Sequence, residues 1–368
     1  MIDYREIRKM LHEHPQTAGN EQFAHDMIVR HLQGLHPSKV YTNVGGYGVI
    51  AVWEARDSHI DASTHSSIPT IAFRADTDAL PIGHRCGHDG HTAILLRLAE
   101  LVDQTIDSHI NAFTHLRVLL LWQPAEETGT GSRAILDSGI LQQYNIKAFY
   151  ALHNLPGYPL GTVVLCPQTF AAASTGVVYH LDGRETHAST PELGVNPGMA
   201  VAEIIEQFND FNGAGGEFRQ STLICVHLGS PAFGTSAGHA EVMFTLRAFT
   251  NDEMERLLAD ANSAVDMVAA RYGLKVSRTL VEPFRATEND GDCVKAIEKA
   301  AEEVPLDVRY QVEPNRWSED FAEYLLEFKG AMFGIGSGEH QPELHHPDYD
   351  FPDDLIEPAA RLFFQLAQ

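Results

Sequence analysis

The hydrophobic positions of the chain alternate between helical spacing and short continuous runs. Apolar residues recur at helical spacing over 3–34, where His14 and Pro15 predict a break between two helices. The segment 40–53 is rich in β-branched residues and contains glycines, which predicts two strands joined at Gly45 and Gly46. Continuous apolar runs predict buried strands over 70–74, 117–122 and 148–152. Helices are expected between these strands, near 91–104 and at 132–143. This alternation indicates an α/β fold.

Residues 174–280 have a different character. The pattern predicts a strand, a helix, two strands and a second helix, typical of a small α+β layer, at 175–181, 197–211, 221–228, 240–249 and 251–272. Further on, helices are expected at 291–303, 318–328 and 353–366, with a strand at 330–335. Residues 56–68 are expected to form an exposed loop, and 213–216 a flexible turn. A chain of 368 residues is long for one core, so two domains are expected.

The charge and cysteine content exclude several classes of partner and location. The chain has 26 basic and 50 acidic residues, a formal net charge of -24, which argues against nucleic acid and anionic membrane surfaces. Its four cysteines lie far apart and form no disulfide framework, so a cytoplasmic protein with reduced thiols is expected. No apolar run approaches the roughly eighteen residues of a transmembrane helix, and the first residues lack a signal-peptide pattern.

Residues 83–91 concentrate groups that bind metals. They hold one thiol, three imidazoles and a carboxylate, and a predicted helix follows directly. Cys86 and His88 lie two residues apart, so both side chains can face one ion, and zinc-like metals favour these ligands. Asp89 is a candidate N-cap of the helix. Because the chain has twenty histidines, a histidine-rich loop without a ligand role stays open as the alternative.

Each of the three predicted strands ends in potential metal ligands. Asp76 and Asp78 follow the first strand, Glu126 and Glu127 the second, and His153 the third. The carboxyl ends of strands are where α/β sheets place active groups. Of two adjacent glutamates, one can bind a metal while the other takes a proton from water. Each motif alone also fits a solvated acidic turn or a hydrogen-bonded histidine, but three successive strand ends form a constellation.

These motifs together resemble the M20 metallopeptidase family. Within it, the chain resembles the amidohydrolase branch, which includes N-acyl-amino-acid hydrolases, auxin-conjugate hydrolases, hippurate-hydrolase-like enzymes and N-acetyldiaminopimelate deacetylases. The matching stretches, spread over nearly the whole chain, are Leu11 and His12 with Glu21, 74–81, 86–93, 123–127, 139–141, His153 with Gly161, 319–321 and 344–347. Their order and spacing make coincidence improbable.

The resemblance implies a dinuclear metal site. Glu126 corresponds to the general base and later proton donor, and His187 to the histidine that reaches the substrate carbonyl. His345 is expected to be a ligand in preference to His346, whose position is usually a small polar residue. The resemblance implies two divalent ions per subunit (Zn, Mn, Co or Ni), with the Cys86 thiolate bridging them. The implied ligands are Cys86, His88, Glu127, His153 and His345.

Four further residues are expected near this site. Asp76 and Asp78 resemble groups that support the ligands without binding metal themselves. Arg247, at the end of a strand in 174–280, is expected to contact substrate. Gly336 belongs to a glycine-rich turn that could offer backbone amides to a substrate carboxylate.

The resemblance also implies an architecture and an activity. We expect a zinc-peptidase-like α/β catalytic domain over 1–173 and 281–368, with a mixed central sheet flanked by helices. Residues 174–280 would form an inserted α+β lid or dimerisation domain. The expected activity is hydrolysis of the N-acyl amide bond of an N-acyl-amino acid by a homodimer joined through the lid. A metalloexopeptidase or dipeptidase acting on short peptides is the alternative, and a catalytically inactive binding protein is the third reading.

Three departures from the family pattern concern the surroundings of the site. The Asn-x-Ile-Pro segment usual in the branch is replaced by the sequence at 234–239. The segment between Pro81 and Cys86 is much shorter than usual, and Arg85 stands where a small residue is common. The first two changes are expected to affect specificity more than metal binding.

Overall fold

The computed structural model describes residues 3–54, 68–107, 116–213 and 218–368. Most of the expected exposed loop at 56–68 and of the turn at 213–216 lies outside the described residues. The helices are α1 (Tyr4–Glu13), α2 (Gln22–Leu32), α3 (His88–Asp107), α4 (Gly131–Asp137), α5 (Gly198–Asn209), α6 (Asn251–Tyr272), α7 (Gly291–Glu303) and α8 (Ile356–Leu366). The strands are β1 (Lys39–Val44), β2 (Gly48–Glu54), β3 (Pro69–Asp76), β4 (Arg117–Gln123), β5 (Asn145–Pro156), β6 (Val163–Leu165), β7 (Ala173–Asp182), β8 (Thr186–His187), β9 (Arg219–Leu228), β10 (Thr235–Ser236), β11 (His239–Ala248), β12 (Lys275–Phe284), β13 (Val308–Tyr310) and β14 (Gly330–Gly338).

The chain divides into two compact units. The first unit comprises Met1–Phe170, Thr287–Glu313 and Glu319–Gln368, and the second comprises Ala171–Ala286 with Pro314–Ser318. The boundaries expected from the sequence were 1–173 with 281–368 for one domain and 174–280 for the other. The role of a lid for the second unit stays a prediction.

The first unit is built on an eight-stranded sheet, and the prediction of a mixed central sheet is confirmed. Its strand order is β1-β2-β4-β3-β5-β14-β6-β13, and β4, β3, β5 and β14 run parallel to one another. Every residue of β4 is buried, which explains why its sequence is a continuous apolar run rather than an alternation. One hydrophobic core joins these strands to helices that include α1, α3 and α8.

Helix α3 begins at His88, directly after Gly87, whose φ of +95° lies in the region that favours glycine. Asp89 therefore lies inside the first turn, and its prediction as the N-cap is wrong. Its buried carboxylate instead lies 3.4 Å from Arg8 Nη1 and 2.7 Å from His12 Nδ1. These contacts connect the start of α3 to α1.

The second unit is a four-stranded antiparallel sheet of order β12-β7-β11-β9 with two helices, α5 and α6. Alternate residues of β7, such as Tyr179 and Leu181, are buried in a core shared with both helices. The intervening residues, such as His180, face the side of the sheet that this core does not cover. Strand β12 was not predicted, because most of its residues are exposed and its sequence lacks a buried alternation.

Two predicted helices are shorter or tighter than expected. The segment 318–328 contains a 3₁₀-helix over Asp320–Leu326 rather than an α-helix. The segment 132–143 contains α4 and a separate 3₁₀-turn at Leu141–Gln143, interrupted at Gly139 with φ of +69°. Among the described residues, none of the helices has both the length and the apolar character needed to cross a membrane.

The N-cap of α7 offers a test of this architecture. The Asp290 carboxylate accepts hydrogen bonds from the backbone N–H groups of Asp292 (2.9 Å) and Cys293 (3.1 Å). We expect Asp290→Ala to lower the free energy of unfolding by about 1 kcal/mol at neutral pH, measured by urea denaturation. As a control, Lys299→Ala on the exposed face of the same helix should change it by less than about 0.5 kcal/mol.

This contribution should depend on pH. Burial alone would raise the pKa of Asp290, but the backbone N–H groups and Lys329 hold it below the ordinary value of 3.8. A depressed carboxyl pKa stabilises the fold above the unfolded-state pKa and loses that effect as the pH falls. The difference between wild type and Asp290→Ala should therefore shrink as the pH drops below 3.8. A difference that stays constant down to acid unfolding would contradict the capping role.

Candidate active site

The ends of three parallel strands meet at one edge of the large sheet. β3 lies between β4 and β5 and is parallel to both. Asp76 is the last residue of β3, Glu126 follows the end of β4, and His153 lies on β5 just beyond its pairing with β3. The structure thus brings together the three strand ends that the sequence singled out.

The loop after β4 is fixed by two buried carboxylates. Glu21 Oε1 accepts a hydrogen bond from the backbone N–H of Ala125 (2.9 Å), a residue with a positive φ of 55°. Asp78 Oδ2 accepts one from the backbone N–H of Glu127 (3.0 Å). Because both bonds hold the main chain, the Glu126 and Glu127 side chains project from a loop with a defined conformation.

Cys86, His88 and Glu127 form a cluster of metal-type donors. One ligand atom from each of these residues lies within 4.8 Å of the other two. Cys86 and His88 are buried, and burial raises the pKa of the Cys86 thiol to about 12. Gly87 between them is required, because a Cβ there would come within 2.5 Å of the Asn154 side chain.

Backbone carbonyls orient the two buried histidines of this region. His88 Nδ1 lies 3.0 Å from the carbonyl oxygen of Asp78, and His153 Nδ1 lies 2.9 Å from that of Asn154. A carbonyl can only accept, so each Nδ1 must carry a proton, and in the neutral ring Nε2 presents its lone pair. This is the tautomer that a histidine uses when Nε2 binds a metal. His88 Nε2 lies 3.9 Å from Glu127 Oε1, while His153 Nε2 lies 3.7 Å from Glu319 Oε1.

His345 approaches the cluster from the far end of the chain. Its Nε2 lies 3.8 Å from Glu127 Oε1, whereas His346 Nδ1 lies 3.8 Å from the exposed Asp348. The His345 backbone, held at a φ of 67°, donates to the carbonyl of Arg85 (2.9 Å). Arg85 Nη1 in turn donates to the carbonyl of Tyr349 (2.6 Å). Arg85, for which the sequence offered no account, thus connects the Cys86 loop to the segment that carries His345.

A buried charge network lies behind these donors. Arg74, which is 1% exposed, reaches three carboxylates: Asp76 at 2.5 Å, Glu319 at 3.4 Å and Asp320 at 2.9 Å. Burial raises the pKa of Glu319 to about 8 and that of Asp320 to about 6, although Arg74 opposes both shifts. Burial and the neighbouring Glu319 likewise raise the pKa of Glu126 well above its usual range. One guanidinium therefore offsets part of a dense negative charge.

The family of the chain follows from its sequence profile. The profile described as peptidase family M20/M25/M40 matches residues 72–368. The chain belongs to this family. It is 26% identical over 378 residues to N-acetylcysteine deacetylase of Bacillus subtilis (strain 168), covering 98% of this chain and 95% of that protein. It is also 26% identical over 372 residues to N-acetyldiaminopimelate deacetylase of Lactobacillus helveticus (strain DPC 4571), covering 95% of this chain and 92% of that protein.

Solved structures share the fold of this M20 chain. A dinuclear metal-binding peptidase of the M20 family from Bacillus subtilis superposes with a TM-score of 0.83 at 24% identity, covering 99% of this chain and 96% of that one. A tripeptidase from Staphylococcus aureus gives a TM-score of 0.75 at 14% identity, with coverage of 99% and 96%. The predicted fold class is therefore confirmed, and membership of the family makes the chain a hydrolase of amide bonds.

His84 and His91, the other two histidines of the segment 83–91, have different surroundings from His88. His91 Nδ1 lies 2.5 Å from Asp76 Oδ1, and its Nε2 lies 2.5 Å from Asn154 Oδ1, so hydrogen bonds occupy both ring nitrogens. His84 is buried, and burial lowers its pKa to about 4. Neither was assigned a ligand role from the sequence, and His91 instead supports the cluster by holding Asp76.

The expectation for Gly336 needs correction. Residues 334–338 belong to β14 and not to an open turn. The Gly336 backbone N–H donates to the carbonyl of Thr162 (2.8 Å), and its carbonyl accepts from Gly161 (2.9 Å). With its amide already bonded, Gly336 does not offer a backbone donor to a substrate carboxylate.

Two predicted site residues belong to the second unit. His187 lies on β8, where its exposed ring has Nδ1 2.7 Å from Ser189 Oγ. Arg247 lies on β11 and donates from Nη1 to the carbonyl of Arg316 (2.8 Å) and to Ser318 Oγ (3.2 Å). Their roles toward substrate stay predictions.

Three residues of the charge network, Arg74, Glu319 and Asp320, had no role predicted from the sequence. Arg74, Glu319 and Asp320 all lie in stretches that carry the resemblance to the family, but the contacts of Arg74 with the two carboxylates join positions 245 and 246 residues apart. A usable signal was the adjacent acidic pair at 319–320 beside Phe321, a residue type usually found in a core.

Removing the guanidinium of Arg74 should destabilise the fold. Arg74→Met would leave the buried carboxylates of Asp76, Glu319 and Asp320 without their shared cation. We expect the free energy of unfolding to fall by about 3 kcal/mol or more, measured by urea denaturation. In contrast, Arg133→Ala removes a surface pair with Asp137 (3.0 Å) and should change it by about 0.5 kcal/mol or less. Equal effects of the two substitutions would show that the network is not a source of stability.

Proposed function

We propose that the chain is a metal-dependent amidohydrolase that cleaves the N-acyl bond of N-acyl-amino acids. The observation that carries the proposal is the cluster of Cys86, His88 and Glu127 donor atoms within 4.8 Å of one another, next to the buried Glu126. Amide hydrolysis needs an activated water and a polarised carbonyl, and this combination of groups supplies the means for both.

The donors fit divalent metal ions. Thiolate, imidazole and carboxylate groups suit zinc, manganese, cobalt or nickel, and two of the histidines present Nε2 toward neighbouring donors. We propose that two such ions are bound by Cys86, His88, Glu127, His153 and His345. When bound, they would polarise the amide carbonyl and lower the pKa of the attacking water.

The protein side chains provide proton transfer and positioning. Glu126 is proposed to accept the proton of the attacking water and to deliver it to the leaving amine. Its neighbours Glu127 and Asp78 fix the loop that carries it. Asp76 is held by Arg74 and His91, and we propose that it supports the ligands without binding metal.

The substrate class is supported by the relatives. Two of them are named as deacetylases of N-acetylcysteine and N-acetyldiaminopimelate, both N-acylated amino acids. At 26% identity these names support the class of substrate and not a particular acyl group. We propose His187 and Arg247 as substrate contacts on the resemblance alone. With all four cysteines unpaired in the structure, we also propose a cytoplasmic location.

The substitution Glu126→Gln tests the proposed mechanism. The amide keeps the size of the side chain but cannot accept the proton, so kcat on N-acetyl-amino acids should fall by roughly a hundredfold or more. Metal content, measured by elemental analysis, should stay that of the wild type. Glu127→Gln is the matched control, because it removes a proposed ligand and should lower metal content as well as activity.

The wild-type protein should be tested on N-acetyl-amino acids and on dipeptides in parallel, before and after chelation. Activity on the N-acetyl compounds that is lost on chelation and restored by a divalent ion supports the proposal. Preference for dipeptides would favour the exopeptidase alternative. No turnover by metal-loaded protein across a broad panel would favour the inactive binding protein, and unchanged turnover by Glu126→Gln would contradict the role of the base.

We further propose a homodimer formed through the second unit. β9 is an edge strand of its sheet and carries the exposed apolar residues Leu223, Ile224 and Leu228. An exposed apolar edge is a template for pairing with a second copy.

A charge at this edge should weaken the dimer. Ile224 is 58% exposed, so Ile224→Glu should leave the monomer folded and weaken association by roughly tenfold or more, measured by sedimentation velocity. Ile82→Glu is the control, because Ile82 is 53% exposed in the first unit. A wild-type protein that stays monomeric at micromolar concentration would contradict the proposal.

A further inference from the structure

Two paired antiparallel strands of the second unit form two cross-strand pairs, each of one histidine and one carboxylate. In the pairing of β7 with β11, His180 is the partner of Glu241 and Asp182 is the partner of His239. Residues two apart on a strand point to the same face, so all four side chains share one face of the sheet. Their neighbours Tyr179 and Leu181 are buried in the core on the opposite face.

One ring nitrogen from each of the two histidines approaches a single carboxylate oxygen of Glu241. His180 Nδ1 lies 3.2 Å from Glu241 Oε1, and His239 Nε2 lies 3.9 Å from the same atom. All three ligand atoms lie within 4.8 Å of one another. Ligands at about 2.0–2.1 Å from a tetrahedral zinc ion are about 3.3 Å apart, so small side-chain rotations would bring these atoms into coordination.

The fourth residue orients one of the histidines. Asp182 Oδ1 lies 2.7 Å from His239 Nδ1, so this nitrogen carries the proton when the ring is neutral and Nε2 is left to face Glu241. A carboxylate that holds the distal nitrogen of a ligating histidine is a recurrent feature of metal sites.

We propose that His180, His239 and Glu241 form a separate binding site for a divalent transition-metal ion such as zinc, with Asp182 as the residue that positions His239. Two imidazoles and a carboxylate suit zinc, cobalt, nickel or copper. The side chains are 28%, 52% and 29% exposed, so ions have access from solvent and water can complete the coordination. A bound ion would join β7 to β11 on the face of the sheet that the helices leave open.

The site can be tested by zinc titration of the full chain after removal of metal with a chelator. Wild type should bind one more equivalent than the double variant His180→Ala, His239→Ala, and zinc should raise the melting temperature of wild type more than that of the variant. Asp182→Asn keeps all three ligands and should weaken the affinity of that one equivalent by roughly 10- to 100-fold. The other equivalents should bind each variant as they bind wild type, because none of these residues belongs to the proposed catalytic cluster.

A matched control is His36→Ala, which removes a surface histidine whose Nδ1 lies 3.2 Å from a single carboxylate, that of Asp103. It should bind as many zinc ions as wild type. The proposal is wrong if the double variant binds zinc with the stoichiometry and affinities of wild type. If the double variant does not fold, Asp182→Asn decides: unchanged affinity for every equivalent overturns the proposal, and selective weakening of one equivalent supports it.

Discussion

The site depends on one buried cation. Four carboxylates, those of Asp76, Glu126, Glu319 and Asp320, are withdrawn from solvent in a small volume, and Arg74 contacts three of them directly. Without a compensating charge, such a group would take up protons or unfold the region. The planar guanidinium can satisfy several acceptors at once, which an ammonium group at the same position could not do with the same geometry. Dense negative charge next to metal-type donors is therefore compatible with a stable fold.

The geometry of the backbone then orients the side chains of the proposed metal site. Parallel strands deliver Asp76, Glu126 and His153 to one edge of the sheet, and carbonyl groups select the tautomers of His88 and His153. Gly87 and His345 both have positive φ values, and at these positions the loop that carries Cys86 and the segment that carries His345 lie close together. For His345, a residue with a side chain, this conformation carries strain that its surroundings must balance.

Local patterns predicted the parts of the molecule that are determined locally. The continuous apolar run at 117–122 identified a central strand, and the strand-end motifs identified Asp76, Glu126 and His153 as neighbours. Features set by distant contacts were not predictable in this way. Asp89 resembles an N-cap in sequence, but Arg8 and His12 determine its position. Gly336 resembles a turn residue, but pairing with neighbouring segments makes it part of a strand. The exposed β12 gave no alternation, because most residues on both of its faces are exposed.

The link between Arg85 and the segment around His345 has a consequence for the biogenesis of the protein. Cys86 and His88 are synthesised well before His345 and Tyr349, which follow them far along the sequence. The hydrogen bonds from His345 to Arg85 and from Arg85 to Tyr349 cannot form until that segment has emerged. The complete set of proposed metal ligands thus requires the segment around His345, and a product truncated before this segment would retain Cys86, His88, Glu127 and His153 but not the closure of the site.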